Sequence, residues 1–168
     1  IQGTEWIPRL QDELRGFTPQ KLTGMKDFPI MRALITEAER CFAPTEIVPK
    51  RTTVDIEILG KNIPANTLVS HLHVMSHFEA ARYPDPLKFK PERWLSEDLN
   101  KPNAFGGGKH MCLGMGVTRV YMPLTLALIY TEYDVEITEP PVSKSLEPDF
   151  EPAPRSTVMN TRLVRRQP

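Results

Sequence analysis

Apolar residues near the beginning of the chain recur at the spacing of an α-helix. From Thr4 to Phe17, and again from Asp27 to Phe42, they occupy every third or fourth position, with polar residues between them. This pattern predicts two amphipathic helices, each with one face against a hydrophobic core. Thr4 and Asp27 are the predicted N-terminal caps, because short polar side chains accept hydrogen bonds from the free N–H groups of a first turn.

The pattern changes to alternation in the middle of the chain. Thr53 to Leu59 alternates apolar and polar residues, which predicts a half-buried strand. Gly60-Lys61-Asn62 is predicted to be a turn, and Thr67 to Leu72 is predicted to return alongside as the second strand of a hairpin. A last strand is predicted from Thr157 to Val164.

Irregular segments and one further helix are predicted for the rest of the chain. Tyr83 to Arg93 contains three prolines in eleven residues and is predicted to be an ordered, irregular meander. Phe105 to Gly116 contains five glycines in twelve residues. Val117 to Tyr130 is predicted to form a helix, and because it is apolar on most sides, we expect it to be buried.

The composition is that of an ordinary globular protein, and it argues against several function classes. The 168 residues include 21 basic and 21 acidic ones, so no net charge would attract nucleic acid or an anionic membrane surface. No apolar run approaches the ~20 residues that a transmembrane helix needs. Cys41 and Cys112 lie far apart in the sequence and suggest no disulfide framework.

The strongest candidate for chemistry is the glycine-rich loop that contains Cys112. It lacks the Lys-Ser or Lys-Thr of a phosphate-binding P-loop, and it has no G-x-G-x-x-G. Cys112 is expected to enter a helix N-terminus, where N–H groups and the helix dipole stabilise a thiolate. The glycines allow a large planar ligand to approach the backbone, and a thiolate there suits a haem iron. A buried free cysteine in a glycine-rich turn is the alternative.

This loop resembles the cysteine-ligand loop of the cytochrome P450 family, whose pattern is Phe-x-x-Gly-x-Arg/His-x-Cys-x-Gly. The matching positions are Phe105, Gly108, His110, Cys112 and Gly114. The resemblance implies that Cys112 is the axial ligand of haem b. It also implies that Phe105 packs beside the sulfur and that His110, at a position where arginine is commoner, contacts a haem propionate.

Three other residues match a second feature of that family. Glu37-Ala-Glu-Arg40 resembles its Glu-x-x-Arg helix, and Arg93 in Pro91-Glu-Arg-Trp matches the arginine of its meander. The resemblance implies a buried charge network with an architectural role. The alternative for Glu37 and Arg40 is a solvated pair three residues apart, worth a few tenths of a kcal/mol.

Basic and imidazole side chains supply further candidates. Lys50, beside Arg51, is expected from the resemblance to face a haem propionate, and a solvated basic pair is the alternative. His71, His73 and His77 are close enough in sequence to suggest a zinc site, but no further ligand of suitable spacing accompanies them. The resemblance implies that they are structural or line a pocket.

Two departures from the family pattern follow the cysteine and the meander. Thr118 and Tyr121 stand where alanine and glutamate are frequent, so the packing of the last helix is expected to differ. The spacer from Trp94 to Phe105 is also short.

The resemblance covers nearly the whole chain, and it implies a mixed α and β, predominantly helical fold. Residues 1–168 would form a single partial domain, the C-terminal third of the family's fold, and a chain that begins with Ile1 is consistent with that. The expected activity is oxidation of a lipophilic substrate with O2, with electrons from a ferredoxin or flavoprotein reductase that Lys109 could help to dock. The Cys112 ligand is the only residue of the reaction centre expected here. A catalytically incompetent remnant or interaction module is the alternative. Localisation, cytoplasmic or membrane-associated, would depend on residues outside this sequence.

Overall fold

A computed structural model describes residues 5–22, 24–45, 47–96, 101–138 and 160–166. Those residues form three α-helices and six short strands. The helices are α1 (Trp6–Glu13), α2 (Pro29–Cys41) and α3 (Met115–Glu132). The strands are β1 (Val48–Arg51), β2 (Ile56–Ile58), β3 (Lys61–Ile63), β4 (Leu68–His71), β5 (Tyr133–Ile137) and β6 (Thr161–Arg165).

The three helices share one hydrophobic core. Leu10 and Leu14 pack from the end of α1, Met31 and Ile35 from α2, and Ala127 from α3. All of these side chains are buried, which removes their apolar surface from water and supplies the main driving force for association. The two helices predicted from the first periodic segments are therefore confirmed, and both are shorter at each end than predicted.

The start of α2 is capped by a side chain of α1 and not by Asp27, so the prediction of Asp27 as the cap was wrong. Asp27 lies in a short 3-10 turn, and the residue before the helix is Phe28, whose side chain has no polar atom to offer. The carboxylate of Glu13, at the end of α1, instead accepts the N–H groups of Ile30 and Met31 at 2.6 and 2.9 Å. The predicted cap Thr4 lies outside the described residues.

Replacing Glu13 by alanine should lower the free energy of unfolding by about 1–2 kcal/mol, the usual cost of removing an N-terminal cap. The loss would leave the N–H groups of Ile30 and Met31 without their acceptor. Urea unfolding of the variant measures this cost. The neighbouring substitution Asp12→Ala is the control, because Asp12 forms an ion pair with Arg15 at the surface and caps no helix, and an equal loss in both variants would contradict the capping role.

The strands pair differently from the predicted hairpin. Residues 56–58 of the first predicted strand turn back on β3 through Leu59 and Gly60, whose φ angles of 51° and 76° both lie in the left-handed region. This two-residue turn pairs β2 with the residues that follow directly, so Lys61 and Asn62 lie in a strand and not in the predicted turn. The second predicted strand, β4, pairs with β1 instead, Val48 lying opposite His71.

The last predicted strand is confirmed within the described residues as β6. It pairs antiparallel with β5 from Tyr133 opposite Arg165 to Ile137 opposite Thr161, and β5 had not been predicted. Residues 157–159 of the prediction lie outside the described part. The meander from Tyr83 onward is irregular, as predicted, with one 3-10 turn at Pro91–Trp94.

The helix α3 is confirmed, but the expectation that it is buried was wrong for most of its surface. Pro123 and Ala127 are buried, and Ala127 belongs to the core shared with α1 and α2. Val117, Val120 and Tyr121 are more than half exposed. The reason is geometric, because α1 and α2 cover only one side of α3. Among the described residues, no helix combines the length and apolar character needed to cross a membrane.

Candidate cofactor cleft and buried charge network

A cleft of about 650 Å³ opens between the end of α2, the β1–β4 pair and the glycine-rich loop. Its volume falls in the range of sites for small molecules and cofactors. Four of the six residues predicted to bind the cofactor line it: Phe105, His110 and Cys112 from the glycine-rich loop, and Lys50 from β1. Long-range folding therefore places Lys50 beside the loop that carries the other three.

The glycine-rich loop presents Cys112 to the cleft by its backbone conformation. Gly106 and Gly108 have φ angles of 69° and 64°, in the left-handed region that favours glycine. The loop is closed by the N–H of Cys112, which donates to the carbonyl of Phe105 at 2.9 Å. The thiol is exposed, so the alternative of a buried free cysteine does not describe Cys112.

The position of Cys112 relative to α3 differs from the expectation. The helix begins at Met115 with Gly114 as its cap, so Cys112 precedes the cap by two residues and lies outside the first turn. A β-carbon added at Gly114 would lie 3.7 Å from the Cys112 sulfur. This is an ordinary van der Waals distance, so a side chain at Gly114 would contact the sulfur. Gly108 and Gly114 do not line the cleft, and their contribution is to the backbone of the loop.

The residues around the cleft fit a flat, mostly apolar ligand that carries a metal and carboxylates. Cys112 offers a thiol as a soft metal ligand. Lys50 and His110 are side chains that can hydrogen-bond to carboxylates. Much of the remaining wall is apolar or has no side chain, and it includes Phe42, Val48, Gly106, Gly107 and Met122.

Behind the cleft, Glu37 and Arg40 form a completely buried ion pair. Arg40 donates from Nε and Nη2 to the two carboxylate oxygens of Glu37 at 2.9 and 2.8 Å. Both side chains are 0% exposed. The alternative of a solvated surface pair is therefore contradicted for these two residues.

The same carboxylate binds three groups of the meander. Arg93 donates from Nε at 3.2 Å, Trp94 from its indole N–H at 2.8 Å, and Lys90 from its backbone N–H at 2.8 Å. The structure thus brings together Glu37, Arg40 and Arg93. Sequence reasoning missed Trp94 and the backbone N–H of Lys90, although the tryptophan next to Arg93 was a usable signal.

Arg40 binds main-chain carbonyls of the meander and of the 3-10 helix that precedes it. Its Nη1 donates to the carbonyls of His77 and Pro86, each at 2.8 Å, and its Nη2 donates to that of Lys88 at 3.1 Å. A guanidinium with five N–H donors suits this arrangement, because one side chain can satisfy several carbonyls that have no strand partner.

The three histidines of the middle segment divide between the cleft and the interior. His71 and His73 line the cleft, whereas His77 is fully buried beside the charge network. Burial lowers the pKa of His77 to about 4, and its Nδ1 lies 3.2 Å from the carbonyl of Arg40. Within the described residues, no three histidine, cysteine, aspartate or glutamate side chains are placed to hold a metal ion.

The remaining sequence candidates are less involved. Thr118 lines the cleft, whereas Tyr121 is exposed on α3. Lys109 is exposed on the glycine-rich loop. The spacer after Trp94 includes residues 97–100, which lie outside the described part.

Comparison with known proteins agrees with this geometry. A sequence model of the cytochrome P450 family matches residues 5–159. The cytochrome P450 monooxygenase hkm5 of Aspergillus hancockii is 29% identical over 153 residues, covering 84% of this chain and 29% of the relative. The human mitochondrial 25-hydroxyvitamin D-1 alpha hydroxylase is 32% identical over 121 residues, covering 68% of this chain and 23% of the relative. The chain thus spans less than a third of the length of these relatives.

Solved structures show the same fold. A zebra fish cytochrome P450 in a structure with abiraterone superposes with a TM-score of 0.82 at 20% identity, over 98% of this chain and 41% of that one. The retinoic acid-bound cyanobacterial CYP120A1 superposes with a TM-score of 0.75 at 26% identity, over 96% and 39%. Since the family model matches nearly the whole chain and the mixed helix and strand architecture agrees, the chain belongs to the cytochrome P450 family.

Proposed function

We propose that this chain forms the cysteine-ligand side of a cytochrome P450 monooxygenase, in which the Cys112 thiolate binds the iron of haem b. The observation that carries the proposal is the single cleft shared by Cys112, Phe105, His110 and Lys50. Haem with a cysteine thiolate ligand is general to the family. When bound, haem would supply the activation of O2 for oxidation of a lipophilic substrate.

Each residue of the cleft has a separate role in this proposal. Cys112 is the metal ligand, and Phe105 packs beside the sulfur. The carbonyl of Phe105 accepts a hydrogen bond from the N–H of Cys112. Lys50 and His110 bind the haem carboxylates as hydrogen-bond donors. Gly108 and Gly114 provide the loop conformation and the space next to the sulfur.

The buried network of Glu37, Arg40 and Arg93 has an architectural role in the proposal. It fixes the meander against α2, the helix that also forms one wall of the cleft. None of the three residues lines the cleft, which is why we assign them no catalytic role.

We further propose that residues 1–168 form one part of a larger P450 domain. The chain covers 41% of the zebra fish structure that it superposes on, and several apolar residues of α3, such as Val117, Val120 and Leu128, are exposed. Substrate contacts and the distal side of the haem would then come from other parts of the domain, with electrons from an external ferredoxin or flavoprotein reductase. A chain that cannot oxidise substrate even within its full-length protein would instead be a remnant or interaction module.

The reduced, carbon monoxide-bound absorption spectrum of the full-length protein tests the ligand. We expect a red-shifted Soret band, typical of thiolate ligation, that is lost in Cys112→Ala. Cys41→Ala is the matched control, because Cys41 is buried in α2 and does not line the cleft. An unchanged red-shifted band in Cys112→Ala would show that another residue is the ligand.

A further inference from the structure

A second ion pair borders the cleft and takes no part in the Glu37 network. Glu39 lies on α2 and lines the cleft, and its Oε2 is 3.5 Å from Nη2 of Arg119 on α3. The Glu39 side chain is only 7% exposed, whereas that of Arg119 is 41% exposed. The pair therefore joins two helices at the edge of the proposed haem site.

Arg119 also contacts the loop that carries the cysteine. Its guanidinium carbon lies 5.1 Å from the centre of the Phe105 ring, within the range of a cation–π interaction. The carbonyl of Phe105 in turn accepts a hydrogen bond from the N–H of Cys112 at 2.9 Å. A continuous set of contacts thus runs from Glu39 through Arg119 and Phe105 to the backbone of Cys112.

Global stability does not explain why a carboxylate occupies this position. The second oxygen of Glu39, Oε1, is buried and has no hydrogen-bond partner among the described residues. Burial raises the pKa of Glu39, although Arg119 and Lys101 oppose the shift. Burying the Glu39 oxygen without a hydrogen-bond partner destabilises the fold. The 3.5 Å ion pair with the half-exposed Arg119 adds little stability in compensation. We therefore expect the fold to tolerate an apolar residue of similar size at position 39.

We propose that Glu39 and Arg119 are positioning residues for the Cys112 loop, which they hold against α2 through the ring of Phe105. The inference rests on the proposed function, since the position of Cys112 matters here as that of a haem ligand. Glu39 orients the Arg119 guanidinium, and the guanidinium restrains the ring and with it the Phe105 carbonyl.

The experiment compares Glu39→Leu and Arg119→Leu with wild type in the full-length, haem-loaded protein. The readout is the rate at which the reduced, carbon monoxide-bound protein loses its red-shifted Soret band on mild warming. We expect each variant to lose the band about fivefold faster, the upper end for a half-exposed ion pair, with no additive loss in the double variant. The midpoint of thermal unfolding should stay the same or rise in Glu39→Leu.

Conservative and remote variants separate positioning from a general loss of structure. Arg119→Lys keeps the charge and should recover part of the wild-type rate. Glu136→Leu removes the exposed pair with Arg162 on the β5–β6 hairpin and should leave the rate unchanged. Glu39→Gln, which keeps the size and polarity of the side chain, should behave like Glu39→Leu and serves as a second probe if the leucine variant does not fold.

Three results would overturn the inference. The first is a wild-type rate of band loss in both Arg119→Leu and the Glu39 variant. The second is a faster loss that is matched by lower thermal stability and occurs equally in Glu136→Leu. Either result leaves the proposed function standing as long as Cys112→Ala lacks the band. The third is a band that persists in Cys112→Ala, which overturns the proposed function and this inference together.

Discussion

Replacing Glu37 by glutamine should lower the free energy of unfolding by about 3–5 kcal/mol, the cost of breaking a buried ion pair from one side. Glutamine has the same size, so the change isolates the charge. Arg40 would remain fully buried without its counter-ion, and the indole N–H of Trp94 would lose a carboxylate acceptor. Guanidinium chloride unfolding, followed by tryptophan fluorescence, measures the loss.

The chain contains a matched control for this experiment at its surface. Asp12 and Arg15 have the same spacing as Glu37 and Arg40 and the same 2.8 Å distance, but their side chains are 67% and 83% exposed. Asp12→Asn should change stability by less than about 0.5 kcal/mol, because water screens exposed pairs. Similar losses in the two variants would mean that burial does not set the contribution of the Glu37–Arg40 pair.

Lowering the pH from 7 to 4 should cost about 3 kcal/mol of stability through His77 alone. Its pKa is lowered from 6.5 to about 4, because burial disfavours the imidazolium and because His73, Arg40 and Arg82 add positive charge nearby. A depressed folded-state pKa contributes stability above pH 6.5, and that stability is lost as the pH falls towards 4. The Nδ1–H donates to the carbonyl of Arg40, and the added proton would go to Nε2, which is buried and has no partner among the described residues.

Urea unfolding of wild type and His77→Gln at pH 7, 5.5 and 4 isolates this contribution. Carboxylates titrate in the same range in both proteins, so the difference between the two curves reports His77. The wild type should lose more stability than the variant, and most of the excess loss should fall between pH 6.5 and 4. Parallel curves for wild type and His77→Gln would contradict the prediction.

Local patterns predicted the elements of the fold better than their partners. The periodic segments gave α1 and α2, and alternation gave β2, because amphipathic spacing reflects a single face of one element. The cap of α2 and the pairing of β4 were predicted wrongly, since Glu13 and β1 reach those positions only when the chain folds back on itself. The burial of α3 was overestimated, because the apolar character of a helix does not show which other elements pack against it.

The spacing of two charged residues in the sequence does not show whether their ion pair is buried or exposed. Asp12–Arg15 and Glu37–Arg40 cannot be told apart by spacing, and only the resemblance to the family favoured a buried network for the second. The Glu39–Arg119 contact had no local signal at all, since its residues lie 80 positions apart in α2 and α3.

Periodicity and a dense local motif are properties of neighbouring residues, and for that reason the three helices, strands β2, β4 and β6, the family and the Cys112 loop could all be read from the order of the amino acids. The folded arrangement was needed to establish which charges are buried, which N–H groups and carbonyls the Glu37 network satisfies, and which side chains share the cleft with Cys112. The physical reason is that desolvation and hydrogen-bond partnership depend on residues that are distant in sequence and become neighbours only on folding.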